Sequence, residues 1–269
     1  SNFTPITGGR AYTATITPSS SAPSVVVGSN TFTDGAGNNN TTSNTYNWTH
    51  DDTGPTMTLT ASAVADGGNH NAAVTMIFTS SEATSNFVAG DITATNASVS
   101  NFTPITGGRA YTATITPTGS SPSVVVGSNK FTDGTGNNNT TSNTYNWTHD
   151  TTPPTGNSIS INGGASYTNS TSVTLTLAST GASQMRFKNE SSGTYTSYEA
   201  YATSKSWTLA NSEGTNTVYV QFKDVVGNVA SAVSDTIVLD SVAPTSNAIW
   251  IAGGAIYTNS QSVTLSLAS

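Results

Sequence analysis

Residues 1–51 and 100–150 carry nearly the same sequence, offset by 99 positions and without a gap. They differ only at positions 19, 20, 22, 31 and 36, so 46 of the 51 residues are identical. A chain copied at this interval reads as tandem modules of about 100 residues, each long enough to hold its own core. The copied stretch ends in FTDGTGNNNTTSNTYNWTHDTTPPT at Phe131–Thr155, which also stands as FTDGAGNNNTTSNTYNWTHDDTGPT at Phe32–Thr56. A shorter echo, FKDVVGN at Phe222–Asn228, leads to DSVAPT at Asp240–Thr245. A second module type repeats as well: INGGASYTNSTSVTLTLAS at Ile161–Ser179 returns as IAGGAIYTNSQSVTLSLAS at Ile251–Ser269, offset by 90.

These repeats divide the chain into four segments. Residues 1–53 are the C-terminal half of a type-one module, and 54–152 are a complete type-one module. Residues 153–243 are a complete type-two module, and 244–269 begin another. The chain opens at Ser1 inside a repeat, without a Met or a leader-like segment, and is read as a window of a longer protein.

Within the segments the hydrophobic pattern has the period of strands. In the complete type-one module, strands are expected at Met57 to Val64, Ala73 to Thr79, Asp91 to Thr95, Ala110 to Thr116, Ser123 to Phe131 and Asn143 to His149. Phe87 is expected at an edge, and Val99 and Phe102 in the approach to the turn Thr106–Gly107–Gly108. Along Ala110 to Thr116, Tyr111, Ala113 and Ile115 share one face, and Thr112, Thr114 and Thr116 the other. The opening half-module repeats the pattern at Arg10 to Thr17, Ser24 to Phe32 and Asn44 to His50.

In the type-two module the expected strands are Ser158 to Asn162, Val173 to Leu177, Gln184 to Lys188, Tyr195 to Tyr201, Lys205 to Leu209, Thr217 to Phe222 and Val229 to Leu239. There Val218, Val220 and Phe222 face inward, and Trp207 with Leu209 supplies the large anchor that Trp147 supplies in type one. No segment carries a 3.6-residue period over ten or more residues. The expected fold is therefore all-β: antiparallel β-sandwiches in tandem, joined by short Pro-containing linkers.

Only 8% of the residues are charged, against about 25% in ordinary globular proteins, and Ser, Thr, Asn and Gly carry the polarity instead. The net charge of −7 opposes nucleic-acid binding, which needs a basic stripe. With no cysteine there is no disulfide framework. No apolar run reaches the roughly 18 residues that a membrane-spanning helix needs.

The type-one words FVAGDITATNASVSNFTPITGGRAYTATITP and FTDGTGNNNTTSNTYNWTHDTTPPT resemble the bacterial immunoglobulin-like domains repeated in large adhesins and biofilm surface proteins. The type-two words INGGASYTNSTSVTLTL, VYVQFKDVVGNVAS and TIVLDSVAPT are similar to another bacterial immunoglobulin-like repeat of secreted multidomain proteins. The resemblance covers essentially the whole chain. It implies immunoglobulin-like sandwiches, a secreted or cell-surface location, and service as stalk, spacer or fibre.

Two sets of aspartates are candidates for more than architecture. Asp34, Asp133 and Asp224 each begin an Asp-x-x-Gly-Asn sequence, which suits a tight turn whose backbone N–H groups bond to the Asp side chain. Asp51, Asp150 and Asp240 stand at the joints, where related repeats sometimes hold calcium. Asp51, Asp150, Asp240, Asp133 and Asp224 are thus the expected ligands if calcium is bound; no other cofactor is required. The prolines of Gly54–Pro55, Pro153–Pro154 and Ala243–Pro244 fix φ and make each joint a semi-rigid spacer.

The histidines, His50, His70 and His149, form no zinc pattern, and nothing resembles a nucleophile elbow or a phosphate loop, so no catalytic residue is expected. Lys188 and Lys223 flank inward-facing Phe187 and Phe222 and are expected to point to solvent.

The function expected from these observations is structural: a repeat segment of a large extracellular surface protein, forming a stalk or fibre. Its partners would be neighbouring modules of the same chain and other copies in a filament, with no nucleic acid and no membrane insertion of this segment. The alternative is an adhesin module that grips glycans or another surface through exposed loops or an aromatic face. Clustering of Tyr195, Tyr198 and Tyr201 would favour that alternative.

Overall fold

The computed structural model describes residues 2–245 and 247–268; Ser1, Ser246 and Ser269, the first and last of which bound the outer segments, lie outside them. It is all-β, with no α-helix among the described residues, and falls into two compact units, Ser1–His149 and Asp150–Ser269.

The first unit opens with β1 (Thr4–Thr7), β2 (Ala11–Thr13), β3 (Ser24–Val25) and β4 (Tyr46–Asn47). It continues with β5 (Met57–Ala61), β6 (Asn69–His70), β7 (Val74–Ser80), β8 (Ile92–Thr95), β9 (Ala97–Thr106), β10 (Ala110–Pro117), β11 (Ser123–Val126), β12 (Tyr145–Asn146) and β13 (Thr148–His149). One sheet runs β5-β7-β10-β9 and a second β12-β11-β8, while β13 pairs in parallel with β6. Strict alternation explains their pairing: Val74, Met76, Phe78 and Ser80 are buried while Thr75, Ile77 and Thr79 are exposed. Residues from both sheets, among them Leu59, Met76, Ile115, Val124 and Trp147, form one core.

Phe87 lies at the centre of that core and not at its edge. Its ring centroid is 5.9 Å from Phe78, 5.5 Å from Phe102, 5.0 Å from Tyr111 and 5.1 Å from Phe131. Residues 97–106 also differ from expectation, forming a ten-residue strand. Its period is hidden by Asn101, whose φ of 50° places it in the left-handed region, and the register with β10 shifts there. Pro104 is tolerated because β9 is an edge strand, where a missing N–H leaves no ladder bond unmade.

The Asn-rich run also takes on structure that periodicity could not show. Asn139 is buried and its amide makes four hydrogen bonds, accepting from Lys130 N (2.7 Å) and Phe131 N (3.0 Å) and donating to Gly127 O and Thr140 O (2.8 Å each). Asn143 behaves as a strand residue turned sideways: its amide accepts from Leu59 N at 2.8 Å and donates to Leu59 O at 3.1 Å.

Residues 2–53 form only two short ladders, β1-β2 and β3-β4. Phe32 is 61% exposed and Tyr46 68%, whereas their repeat mates Phe131 and Tyr145 are 1% and 5% exposed. The sequence is the same and the difference is the partner: Tyr145 bonds Val64 O at 2.6 Å and Phe131 packs on Phe87, groups that belong to residues 54–99.

The second unit comprises β14 (Thr155–Ile161), β15 (Tyr167–Thr168), β16 (Ser172–Thr180), β17 (Gln184–Asn189), β18 (Glu199–Ala200), β19 (Ser204–Thr208), β20 (Gly214–Lys223), β21 (Val233–Leu239), β22 (Ala248–Ile251) and β23 (Leu265–Ala268). Its sheets run β14-β16-β19 and β15-β21-β20-β17-β18, and β22 pairs with β23. Ile161, Leu175, Phe187, Val220, Phe222 and Leu239 are among its core residues. Trp207 is a half-buried flank of that core, 5.3 Å from the Phe187 ring, with its indole N–H donated to Asn189 Oδ1 at 2.7 Å.

Lys205, the register partner of buried Leu175 on edge strand β19, is held by Glu199 at 2.8 Å. A charge turned inward on an edge strand discourages pairing with a further strand. Of the expected strand Tyr195 to Tyr201, only Glu199 and Ala200 pair; the residues before them form a loop.

Replacing Asn139 by Ala removes all four amide bonds, leaving the buried Phe131 N–H and three partly buried backbone groups without that partner. A loss of about 3 kcal/mol is expected for the type-one module in denaturant titrations. Amide exchange at Lys130 and Phe131 should accelerate with it, and unchanged exchange would contradict the assignment.

Candidate functional site

The Asp-x-x-Gly-Asn sequences fold alike in all three copies. In the complete type-one module, Asp133 Oδ1 accepts from the backbone N–H groups of Thr135 (2.8 Å), Gly136 (2.7 Å) and Asn137 (2.9 Å) and from the Thr135 hydroxyl (2.9 Å). Asp224 Oδ1 accepts from Val226 (3.0 Å), Gly227 (2.7 Å) and Asn228 (2.8 Å), and Asp34 Oδ1 from Ala36 and Asn38 (2.9 Å each). The chain reverses over the carboxylate because Gly136 and Gly227 adopt φ of 97° and 103°, where an L side chain is strained.

The closing Asn ties this turn to the incoming joint. One N–H of the Asn137 amide goes to Asp133 Oδ2 (2.9 Å), and the amide also donates to the backbone carbonyl of Asp51 (3.0 Å). Asn228 repeats both bonds, to Asp224 Oδ2 (2.9 Å) and to the carbonyl of Asp150 (2.9 Å). The linker entering each complete module is thus held by that module's own turn, 86 and 78 residues further along the chain.

The joint aspartates share another geometry. Asp51 Oδ1 accepts from Thr53 N (3.1 Å), Asp150 Oδ1 from Thr152 N (3.0 Å) and Asp240 Oδ1 from Val242 N (3.1 Å). Each carboxylate closes a local turn just before the linker proline, satisfying an N–H that the strand ladder has left behind. At the first joint Gly54 is needed for space: a Cβ there would lie 1.9 Å from Asn138 O.

Of the five expected calcium ligands, the structure brings two together and adds one that sequence reading missed. Carboxylate oxygens of Asp51, Asp133 and Glu82 lie within 4.8 Å of one another. Asp150 and Asp224 meet only through the Asn228 bridge described above, and Asp240 keeps to its own turn. Calcium takes roughly six to eight oxygens. Three carboxylates carry six, and three of these already accept hydrogen bonds: Asp133 Oδ1 from four donors, Asp133 Oδ2 from the Asn137 amide and Asp51 Oδ1 from Thr53 N, leaving three. Glu82 was not foreseeable, since nothing local in SSEATSN distinguishes it from a solvated surface acid.

Burial acts on Asp133 to raise its pKa, and hydrogen bonds from Asn137 and Thr135 outweigh that, lowering it from 3.8 to about 2. The same bonding, led by the Asn38 side chain, lowers the Asp34 carboxyl.

Residues 51–148 match the family model of a bacterial Ig-like domain. No curated protein matches the chain. Among solved structures, the fibronectin(III)-like modules of Clostridium thermocellum CbhA are similar at 17% identity and a TM-score of 0.37, over 67% of this chain and 93% of that one. The Yersinia pseudotuberculosis adhesin InvE is similar at 16% identity and a TM-score of 0.27, over 69% of this chain and 58% of that one. The human OSCAR ligand-binding domain is similar at 14% identity and a TM-score of 0.26, over 69% and 99% respectively. At these scores the likenesses bear on neither ligands nor partners.

Because the folded Asp133 is more acidic than the ordinary 3.8, its contribution to stability is complete above about pH 4 and lost as pH falls through about 2. The gap in melting temperature between the natural chain and Asp133→Asn should therefore be constant from neutral pH down to about pH 4, and shrink between there and about pH 2. A gap that does not change over that window would contradict the turn's electrostatics.

Proposed function

We propose that this chain, whose residues 51–148 match the family model of a bacterial Ig-like domain, is a structural segment of a large extracellular surface protein, serving as a stalk or fibre in which sandwiches are units of length. The observation that carries this reading is the pairing of a copied surface with a copied joint. The two type-one copies differ at five of 51 positions, so loops and outward faces are repeated along with the core. A site tailored to one ligand gains nothing from being copied whole, whereas a spacer does.

The turn–linker clasp supports the same function. Linker prolines limit rotation about φ, and Asn137 and Asn228 fix the linker backbone to the module that follows it. Load or bending at the joint then meets hydrogen bonds and a ring-constrained backbone instead of a free hinge. The sparsely charged, Thr- and Asn-rich surface suits a long exposed assembly, since it offers few charges for salt to screen.

A second reading, glycan binding through an aromatic face, is favoured by one observation: Tyr195 and Tyr198 gather on one face of the type-two module. Tyr201 does not join them. Its ring packs edge-on against buried Phe222, and its hydroxyl accepts from Ser179 N at 3.1 Å.

Electron microscopy of the native material tests the structural reading. Strings of beads repeating at one module are expected for a stalk, and a regular lattice of such strings for a fibre. Compact particles without beads would contradict both.

A further inference from the structure

The chain has seven lysines and arginines, and three of them line one sheet face in the type-two module. On β17, Gln184, Arg186 and Lys188 alternate with buried Met185 and Phe187; on β20, Tyr219, Gln221 and Lys223 alternate with buried Val218, Val220 and Phe222. Register places Lys188 across from Tyr219, Arg186 across from Gln221 and Gln184 across from Lys223, so all six share the outer face.

The loop before β18 lays two more rings over them. The result is an unbroken alternation of three cations and three tyrosines. Lys188 Nζ is 5.1 Å from the Tyr219 ring centre and 5.0 Å from that of Tyr195. The Arg186 guanidinium is 4.5 Å from Tyr195 and 4.6 Å from Tyr198, and Lys223 Nζ is 4.0 Å from Tyr198. Lys188 and Lys223 thus lie on the outer face, as expected from the inward-facing Phe187 and Phe222, and each is half-covered by tyrosine rings.

Among the described residues no carboxylate pairs with this row. Among the described residues the ion pair is Lys205 with Glu199, at an inward-facing position off this face. Arg186 donates twice to the neutral Gln221 amide, and Lys188 donates to the Ser191 carbonyl. Lys223 Nζ makes no hydrogen bond among the described residues, and the Tyr198 hydroxyl beside it is shielded from solvent and has no partner. A shallow depression adjoins them, lined by Ser183, Gln184, Ala200, Lys223 and Gly227. Asp224 borders it too, with its carboxylate turned into its own turn.

We propose that this face docks an acidic polysaccharide, with carboxylate or sulfate groups paired to Arg186, Lys188 and Lys223 and sugar hydroxyls bonded to the Tyr195 and Tyr219 hydroxyls. Tyr195 and Tyr198 each already have two cations over their rings, which leaves hydroxyls and ring edges for a ligand instead of open faces for stacked bases. Charge complementarity is local: the chain as a whole is acidic, but its field is screened within about 8 Å at physiological salt. The proposal deepens the glycan-binding reading and does not depend on the stalk reading. A chain that ignores polyanions can still form beaded strings, and one that binds them need not.

The test titrates the whole chain, at low ionic strength, with polygalacturonate, dextran sulfate, neutral dextran and a single-stranded oligonucleotide. Binding is expected to one or both acidic polysaccharides and not to neutral dextran, and the better of the two identifies carboxylate or sulfate as the anion. Lys223→Gln and Arg186→Gln should each weaken it about tenfold, while Lys130→Gln in the type-one module leaves it unchanged. The Lys223 side chain makes no hydrogen bond among the described residues, and its backbone bonds to Ser183 survive substitution, so its variant should melt like the natural chain even if the Arg186 variant does not. Absence of binding to both acidic polysaccharides, or binding that Lys223→Gln leaves intact, overturns the proposal. Tighter binding to the oligonucleotide overturns it in favour of nucleic acid, and self-association abolished by Lys223→Gln overturns it in favour of a second copy of the chain.

Discussion

One carboxylate saturated by backbone N–H groups is the constraint on which each complete module's joint depends. A tight turn leaves several N–H groups pointing inward with no ladder to join, and an unpaired buried N–H is costly. Asp133 and Asp224 collect three such groups each on a single oxygen. Their second oxygens orient an Asn amide that also donates to the carbonyl of the entering linker. The position of the linker is therefore set by turn chemistry at the far end of the module's sequence.

The same economy runs through the rest of the chain. With charge at 8%, buried polarity apart from Asp133 and Asp224 is carried by neutral amides and hydroxyls, which need only hydrogen bonds and not counter-charges. Asn139 staples the loop around Phe131, and in the type-two module the corresponding buried residue is Ala230, whose backbone keeps the bond to Phe222 O. Asn216 is buried in that module, accepting from Asn211 N at 2.9 Å and donating to Gly214 O at 3.2 Å. The charges that remain are concentrated where they have specific partners, as in the Lys205–Glu199 pair and the row from Lys188 to Lys223.

Much of the fold was legible in the sequence because strands declare themselves by alternation. Tyr111, Ala113 and Ile115 face the core as their period requires, and Tyr145 and Trp147 are buried together. The turns were legible too, since Asp and Gly at fixed spacing have one efficient geometry. What escaped was long-range or irregular. β9 was hidden by a left-handed Asn and a proline that break the period. Phe87 looked peripheral because it lies outside any strand, although four rings converge on it. The clasp from Asn137 to Asp51 and the approach of Glu82 to the same joint join residues far apart in sequence, and no local pattern announces them.

Each turn holds its entering linker through a single side-chain amide. Backbone order parameters across residues 150–155, measured by NMR relaxation on the natural chain and on Asn228→Ala, test it most directly. The account predicts linker values close to those of β16 in the natural chain and a clear fall on substitution, while β16 stays rigid. Linker values that are unchanged by the substitution, or already low in the natural chain, would contradict it.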